Sequence, residues 1–303
     1  MTGPSLKDKI VDLYKNGDAM IKLIFINVAI FVFFWFLALL DYLFKINTAV
    51  GFEFYTILPS NLSEFIKRPW TLFTYMFRHA DFGHILWNML FFYIFGRTFV
   101  TYLGGKRLLS TFILSGISGG LLYMIAYNVF PAFTDAVGFA TNRGASGAIM
   151  GVAVALVTYA PNAEITLPFN LRVRLLWIVL FSIVKDLMFF PEGNNAGGLL
   201  AHFGGAIFGY VSIRQFQKGR DITAGFGKFM DNIANWFKPK SKIKKVYSNS
   251  KNSKSRSSDS KMKVVRSNKE QEEVNEILDK ISRSGYESLS KAEKDFLFKF
   301  GKD

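Results

Sequence analysis

The chain has 303 residues, enough for one membrane domain with an appendage; half are hydrophobic, and 33 are Phe. This composition is unusual for a soluble protein and typical of one that faces lipid. The absence of Cys excludes disulfides, thiol catalysis and Cys-based metal sites, and any imidazole chemistry must use one of three His residues. The net charge of +14 is uneven, because residues 214–303 carry 22 Lys or Arg and 12 Asp or Glu.

The first apolar run starts near Ile21, after a charged segment of residues 1–20. It has no small-residue cleavage site at its end, so we interpret it as a retained transmembrane helix and not as a signal peptide. A helix crosses the ~30 Å hydrocarbon core with about 20 apolar residues, and the sequence predicts six such spans. They are Ile21–Leu40, Gly83–Leu103, Leu108–Phe130, Ser146–Ala160, Val173–Phe190 and Gly197–Ile213.

Charge predicts the orientation of these spans. Six spans place both termini on one side, and twelve Lys or Arg residues flank the spans on that side against six on the other. Short loops on the cytoplasmic side of a membrane are enriched in Lys and Arg. We therefore expect both termini in the cytoplasm. The long loop from Asp41 to Phe82 mixes aromatic and charged residues, which is typical of structure lying in the membrane interface.

The fourth predicted span is short. Ser146–Ala160 has 15 residues, or about 22 Å at ~1.5 Å per residue, which is less than the hydrocarbon core. The polar stretch before it, residues 131–145, is tolerated at membrane depth only if protein buries it or it lines a water-filled cavity. The sequence therefore predicts that this helix begins below the membrane surface, at the floor of a wet pocket.

A Gly-x-Ser-Gly motif, Gly144 to Gly147, opens that short helix. Glycine allows a tight bend and the approach of a substrate backbone, and a Ser at a helix N-terminus lies beside free N–H groups that can stabilise an oxyanion. The motif taken alone also fits ordinary packing of small residues between helices. Ser146 is nevertheless a candidate nucleophile.

His202 lies well inside the sixth span, where polar side chains are costly and mark candidate functional sites. A neutral imidazole can take the proton of Ser146 and return it to a leaving amine. Gly205 and Gly209 form a small-residue face that matches Gly147 and Gly151, so we expect the two helices to pack closely. The alternative is a His that only hydrogen-bonds between helices.

The second span carries further candidates. His84 and Asn88 share a helix face, and their N–H groups could form an oxyanion hole, although Asn88 could also simply bridge helices. His79 precedes this span and is placed either at the rim of the pocket or in no functional role. Lys185 and Asp186 are expected near the outer end of the fifth span. We expect no carboxylate to orient His202, so the site is predicted to be a Ser–His dyad.

These motifs resemble those of the rhomboid intramembrane serine proteases, from about Pro69 to Gly209. The family patterns His-x4-His-x3-Asn, Gly-x-Ser-Gly and Ala-His followed by spaced glycines are all present, in order. The residues that match them are His79, His84, Asn88, Gly144, Ser146, Gly147, Ala201, His202, Gly205 and Gly209. Departures from the family pattern are Thr71 in place of Arg, Val100 in place of an acidic residue, and Met150 in place of a ring near the catalytic His.

The resemblance implies a bacterial protease of the inner membrane that cleaves transmembrane segments near the outer face, without a cofactor or metal. It implies an oxyanion held by His84, Asn88 and the backbone N–H of Ser146, and substrate entry beside the fifth helix. The alternative is a catalytically silent relative that binds transmembrane clients. A transporter using the polar pocket is a third hypothesis, disfavoured by the few membrane charges and the lack of an internal repeat.

The predicted fold is thus an all-α polytopic membrane protein with a six-helix domain over residues 21–215. A basic, largely disordered linker follows over residues 216–268, facing anionic lipid, and then a small helical hairpin over residues 269–303. Ser290 to Glu293 forms a predicted capping box. The hairpin resembles a module of some bacterial rhomboids and could bind a cytoplasmic partner. The tail lacks a nucleic-acid motif, so we expect no binding of nucleic acid.

Overall fold

The computed structural model describes residues 5–190, 195–237 and 273–300. The chain divides into two compact units, Met1–Lys238 and Pro239–Asp303. The first part of the predicted basic linker contains a helix, Ala224–Phe237, and the rest, residues 238–268, lies outside the described residues.

Helices make up most of the first unit. They are α1 (Leu6–Asn16), α2 (Ala19–Phe44), α3 (Thr48–Phe54), α4 (Leu62–Lys67), α5 (Thr71–Thr74), α6 (Phe82–Leu103), α7 (Gly105–Val129), α8 (Ser146–Tyr159), α9 (Leu175–Phe189), α10 (Ala196–Gln217) and α11 (Ala224–Phe237). Two antiparallel pairs of short strands join them. They are β1 (Leu58–Pro59) with β2 (Thr141–Asn142), and β3 (Glu164–Leu167) with β4 (Leu171–Arg174).

Each of the six predicted spans coincides with a helix, namely α2, α6, α7, α8, α9 and α10. Within the described residues, α2, α7 and α10 are long and apolar enough to cross a membrane, and α8 is apolar but shorter. His84, Asn88 and Arg97 make α6 less apolar, and α9 has 15 residues. The chain is therefore a helical, multi-pass membrane protein, and six crossings remain a prediction.

The predicted start of the fifth span at Val173 was wrong by two residues. Val173 and Arg174 belong to β4, where Arg174 pairs with Glu164 and Val173 with Ile165, and α9 begins only at Leu175. The physical reason is the alternation of apolar and basic residues from Leu171 to Arg174, a period of two that fits a strand and not a helix.

Helix α8 lies at the centre of the first unit, and ten of its 14 residues are buried. Its small residues bring it against the backbone of α10. A Cβ built on Gly147 would lie 2.8 Å from the carbonyl oxygen of Ala201, and one built on Gly205 would lie on the carbonyl group of Gly147. Gly209 meets Gly151 in the same way. The predicted match between the two glycine faces is confirmed.

The adjacent glycines of α10 face two different helices. Gly205 faces α8, whereas a Cβ on Gly204 would lie 2.6 Å from the carbonyl oxygen of Ser118 on α7. The hydroxyl of Ser118 donates a hydrogen bond of 2.9 Å to the carbonyl oxygen of Gly204. Helix α10 is therefore held between α7 and α8 by backbone approach, a mode that small residues permit in membranes.

Replacing Gly205 with Ala is expected to lower the free energy of unfolding by about 1–3 kcal/mol, because the added methyl group overpacks the contact with Gly147. The matched control is Gly225→Ala in α11, where a Cβ meets no atom within 4 Å. Titration of the purified protein in mixed micelles with SDS measures both variants. Equal stability of the two variants would contradict this account of the α8–α10 contact.

The loop between α2 and α6 is a folded structure with buried cations. The guanidinium of Arg78 stacks on the ring of Phe34 at 3.6 Å and lies 3.4 Å from the carboxylate of Glu53. Glu53 also pairs with Arg143, in the polar stretch before α8. This loop is thereby attached to the segment that leads into α8.

The second unit contains a helix over residues 273–284 (α12) and a second helix, α13 (Lys291–Phe300). Val274 and Ile277 of α12 are buried, and Gly285 ends the helical pattern with a φ of 78°. The predicted capping box is confirmed, because the backbone N–H of Ser290 donates to the carboxylate of Glu293 and the N–H of Glu293 donates to the hydroxyl of Ser290.

Candidate active site

A cavity of about 450 Å³ opens between α6, α8, α9 and α10. The polar residues that carry the argument below line it together: His84 and Asn88 from α6, Ser146 from α8, Asp186 from α9 and His202 from α10. Four of these five were predicted from the sequence. A cavity therefore lies at the start of α8, where the sequence predicts a water-filled pocket.

Ser146 is the first residue of α8, and Ala145 before it offers no side-chain cap. The N–H groups of the first turn have no partner within a helix, and the dipole makes this end positive. Any carbonyl oxygen brought close to Ser146 therefore meets a favourable field. The hydroxyl is half-buried and faces the cavity.

Gly144 shapes the turn that leads into α8. Its φ of 128° is a conformation that residues with a side chain rarely adopt. A Cβ at this position would also lie 2.8 Å from Nε2 of His84 and 3.8 Å from Oγ of Ser146. Glycine is therefore required here both for the backbone angle and for space. The side chains of His84 and Ser146 therefore both lie beside the backbone of Gly144.

His84 presents an N–H group to the cavity. The backbone N–H of Ala80 donates to Nδ1 of His84 at 3.4 Å. A neutral imidazole whose Nδ1 accepts a hydrogen bond carries its proton on Nε2. Because Nε2 lies beside Gly144, this proton is available to an oxygen atom bound next to Ser146.

Asn88 lies one turn further along α6 and is buried. Its Nδ2 donates a hydrogen bond of 2.8 Å to the carbonyl oxygen of His84. An amide nitrogen has two hydrogens, so one of them remains for a ligand in the cavity. The alternative role as a bridge to another helix is not what the structure shows, since this bond stays within α6.

His202 is held by a carboxylate. Its Nδ1 lies 2.5 Å from Oδ2 of Asp186, whose side chain is only 1% exposed. Asp186 stands in the last turn of α9 and His202 in the second turn of α10. With Nδ1 engaged by the carboxylate, Nε2 of the neutral ring is left without a proton. It can therefore act as a base towards the cavity.

The expectation that no carboxylate orients His202 was wrong. The sequence placed Asp186 near the outer end of the fifth span, from where it could reach the interface. In the structure it is turned inward against α10, because two consecutive helices bring the end of one beside the start of the next. The signal was present in the sequence, since a carboxylate within an apolar span is itself a candidate for function.

Of the two alternatives for His79, the structure does not support a position at the rim of the pocket. His79 does not line the cavity; its ring is 2% exposed and stands edge-on to the ring of His84, with centroids 5.2 Å apart. Burial, together with the nearby His84 and Arg78, lowers the pKa of His79 to about 3. The ring is therefore neutral at physiological pH and packs behind His84.

The departures from the family pattern occupy defined positions. The hydroxyl of Thr71 is buried and donates to the carbonyl oxygen of Arg68 at 2.7 Å. Val100 packs against the hydrophobic core. Met150 lines the cavity one turn after Ser146. Within the described part of the chain, no group of three or more His, Asp and Glu side chains could hold a metal ion.

The fold and the site thus define a helical membrane protein in which Ser, His, Asp and Asn side chains surround one cavity. Residues 67–216 match the rhomboid domain family, and residues 257–303 match a family of unknown function (DUF6576). The chain belongs to the rhomboid family. The matched region contains every polar residue of the cavity discussed above.

Two curated relatives illustrate the similarity. The chain is 30% identical over 159 residues to RHOMBOID-like protein 12, mitochondrial, of Arabidopsis thaliana. The matched region covers 50% of this chain and 47% of the relative. It is 31% identical over 141 residues to Presenilin-associated rhomboid-like protein A, mitochondrial, of Danio rerio, covering 44% and 34%. The chain thus spans about half or less of the length of these relatives.

Proposed function

We propose that this protein is an intramembrane serine endopeptidase that cleaves transmembrane segments of membrane proteins. The observation that carries the proposal is that Ser146 and His202, on two helices in backbone contact, open into one cavity. Membership of the rhomboid family supports the same reaction.

The proposed reaction is acyl transfer. Oγ of Ser146 attacks the scissile carbonyl carbon while Nε2 of His202 takes its proton. The negative charge that develops on the carbonyl oxygen is stabilised by N–H groups of His84, Asn88 and the first turn of α8. The C–N bond then breaks, and the amine leaves with the proton from His202. A water molecule then gives its proton to Nε2 of His202 and attacks the ester; as the C–O bond to Ser146 breaks, His202 returns that proton to Oγ and the carboxylic acid product leaves.

The substrate class follows from the surroundings of the cavity. Its walls combine polar groups with apolar side chains such as Phe91, Phe95 and Ile149. A transmembrane segment that unwinds locally offers both an apolar flank and a free peptide bond to such a site. The charge distribution supports cleavage at the outer face of a plasma membrane, with both termini in the cytoplasm, where the C-terminal unit could bind a partner.

The test is cleavage of a transmembrane substrate by the full-length chain in lipid vesicles. We expect the wild-type protein to cut at least one of several substrates that carry helix-breaking residues near one end of the transmembrane segment. Mass spectrometry of the products identifies the bond that was cut. Cleavage that Ser146→Ala performs as fast as the wild type would contradict the proposal. Binding of substrates without any cleavage would favour a silent client-binding protein instead.

A further inference from the structure

The contact between Asp186 and His202 goes beyond a Ser–His dyad. Burying a carboxylate is costly unless it is paired and hydrogen-bonded. Asp186 is 1% exposed, and one of its oxygens is committed to Nδ1 of His202 at 2.5 Å. Packing alone does not explain a buried carboxylate at this position. The group that Asp186 contacts, the imidazole of His202, indicates its role.

The second oxygen of this carboxylate has a different neighbour. Oδ1 of Asp186 forms an ion pair at 3.1 Å with Nζ of Lys185, although the two groups are not aligned as a hydrogen bond. Lys185 is half-exposed, with 48% of its side chain accessible. The two oxygens therefore divide between two partners, and the oxygen that faces the site is the one bound to the imidazole.

Resting on the proposed function, we propose that Asp186 is a positioning residue that makes the site a Ser146–His202–Asp186 triad. Its carboxylate accepts the Nδ1–H of His202 and so fixes the tautomer in which Nε2 can take the proton of Ser146. It also holds the ring in place and stabilises the imidazolium that forms. The proton stays on His202 in the intermediate, and Asp186 remains ionised throughout.

A purely structural role of Asp186 predicts a different pattern of activity losses. If Asp186 served only as the ion-pair partner of Lys185, removing either residue would have the same effect. The triad predicts unequal effects, because Lys185 does not touch the imidazole. The conservative change Asp186→Glu keeps the carboxylate and should restore part of the rate that Asp186→Asn loses.

The experiment measures kcat and KM for the full-length protein in lipid vesicles. Asp186→Asn is expected to lower kcat by about 10²- to 10⁴-fold, as loss of the orienting carboxylate does in other serine proteases, with KM changed by less than about threefold. Asp186→Glu should recover at least tenfold of this loss. The loss caused by Lys185→Met should be at least tenfold smaller than that of Asp186→Asn. The matched control is Asp231→Asn in α11. It removes a half-exposed carboxylate that pairs with Lys106 and does not line the cavity, so kcat should stay unchanged.

Two outcomes overturn the positioning role. One is a kcat of Asp186→Asn within threefold of wild type. The other, which decides the case if Asp186→Asn does not fold, is an equal loss of kcat in Asp186→Glu and Lys185→Met. Failure of the proposed function is distinguished by Ser146→Ala and His202→Ala. If these two variants still cleave, the protease assignment fails; if they are inactive while Asp186→Asn is active, only the triad fails.

Discussion

Ser146→Ala and His202→Ala are each expected to lower kcat by at least about 10³-fold, and the double variant is expected to lose no more than either one alone. The physical reason is that nucleophile and base act as a unit, so removing one makes the other useless. Both side chains line one cavity, and the Nδ1 of His202 is engaged by Asp186, which leaves Nε2 as the base. The measurement is single-turnover cleavage of a transmembrane substrate.

The control for these variants is Ser63→Ala, an exposed serine in the loop before α6 whose hydroxyl bonds to Asn61. It should cleave at the wild-type rate. Additive losses in the double variant would show that Ser146 and His202 contribute independently. That result would contradict the proposed proton transfer between them.

His84→Ala is expected to lower kcat by about 10²- to 10³-fold, the cost of removing one donor to an oxyanion in other hydrolases. Nδ1 of His84 accepts from the backbone N–H of Ala80, so we infer that Nε2 carries the proton, and Nε2 lies beside Gly144 at the entry to α8. KM should change little, because the donor acts on charge that develops only in the transition state. Steady-state kinetics of the purified protein separate the two constants.

The control for His84→Ala is Leu90→Ala on the same helix, at an exposed position that does not line the cavity. It should retain the wild-type kcat. A loss at His84 that appears in KM alone would assign this residue to substrate binding and would remove it from the oxyanion hole.

Much of the fold could be predicted because apolar length and small-residue spacing act locally. The six apolar runs became helices, and the facing glycines of α8 and α10 met as expected. Helix α1 was missed, because its amphipathic pattern was read only as a charged segment. The hairpin of β3 and β4 was missed: its last two residues, Val173 and Arg174, were counted into the fifth span, and the others were left in a connecting loop.

The sequence identified most of the polar residues that line the cavity, but not how all of them are arranged. Ser146, His202, His84 and Asn88 could be found because polar residues within apolar helices are few and their types limit the chemistry. Asp186 was misplaced because its direction depends on how α9 packs against α10, which a linear pattern does not contain. For the same reason, His79 could not be distinguished from a residue of the pocket.

The most direct measurement is labelling of the full-length protein in lipid vesicles with a fluorophosphonate, followed by mass spectrometry of the modified peptide. An activated serine attacks this probe, whereas an ordinary hydroxyl does not. We predict a single label on Ser146 in the wild type and at least about a 10²-fold slower reaction in His202→Ala. Labelling of another residue, or labelling of Ser146 that is equally fast without His202, would contradict the account.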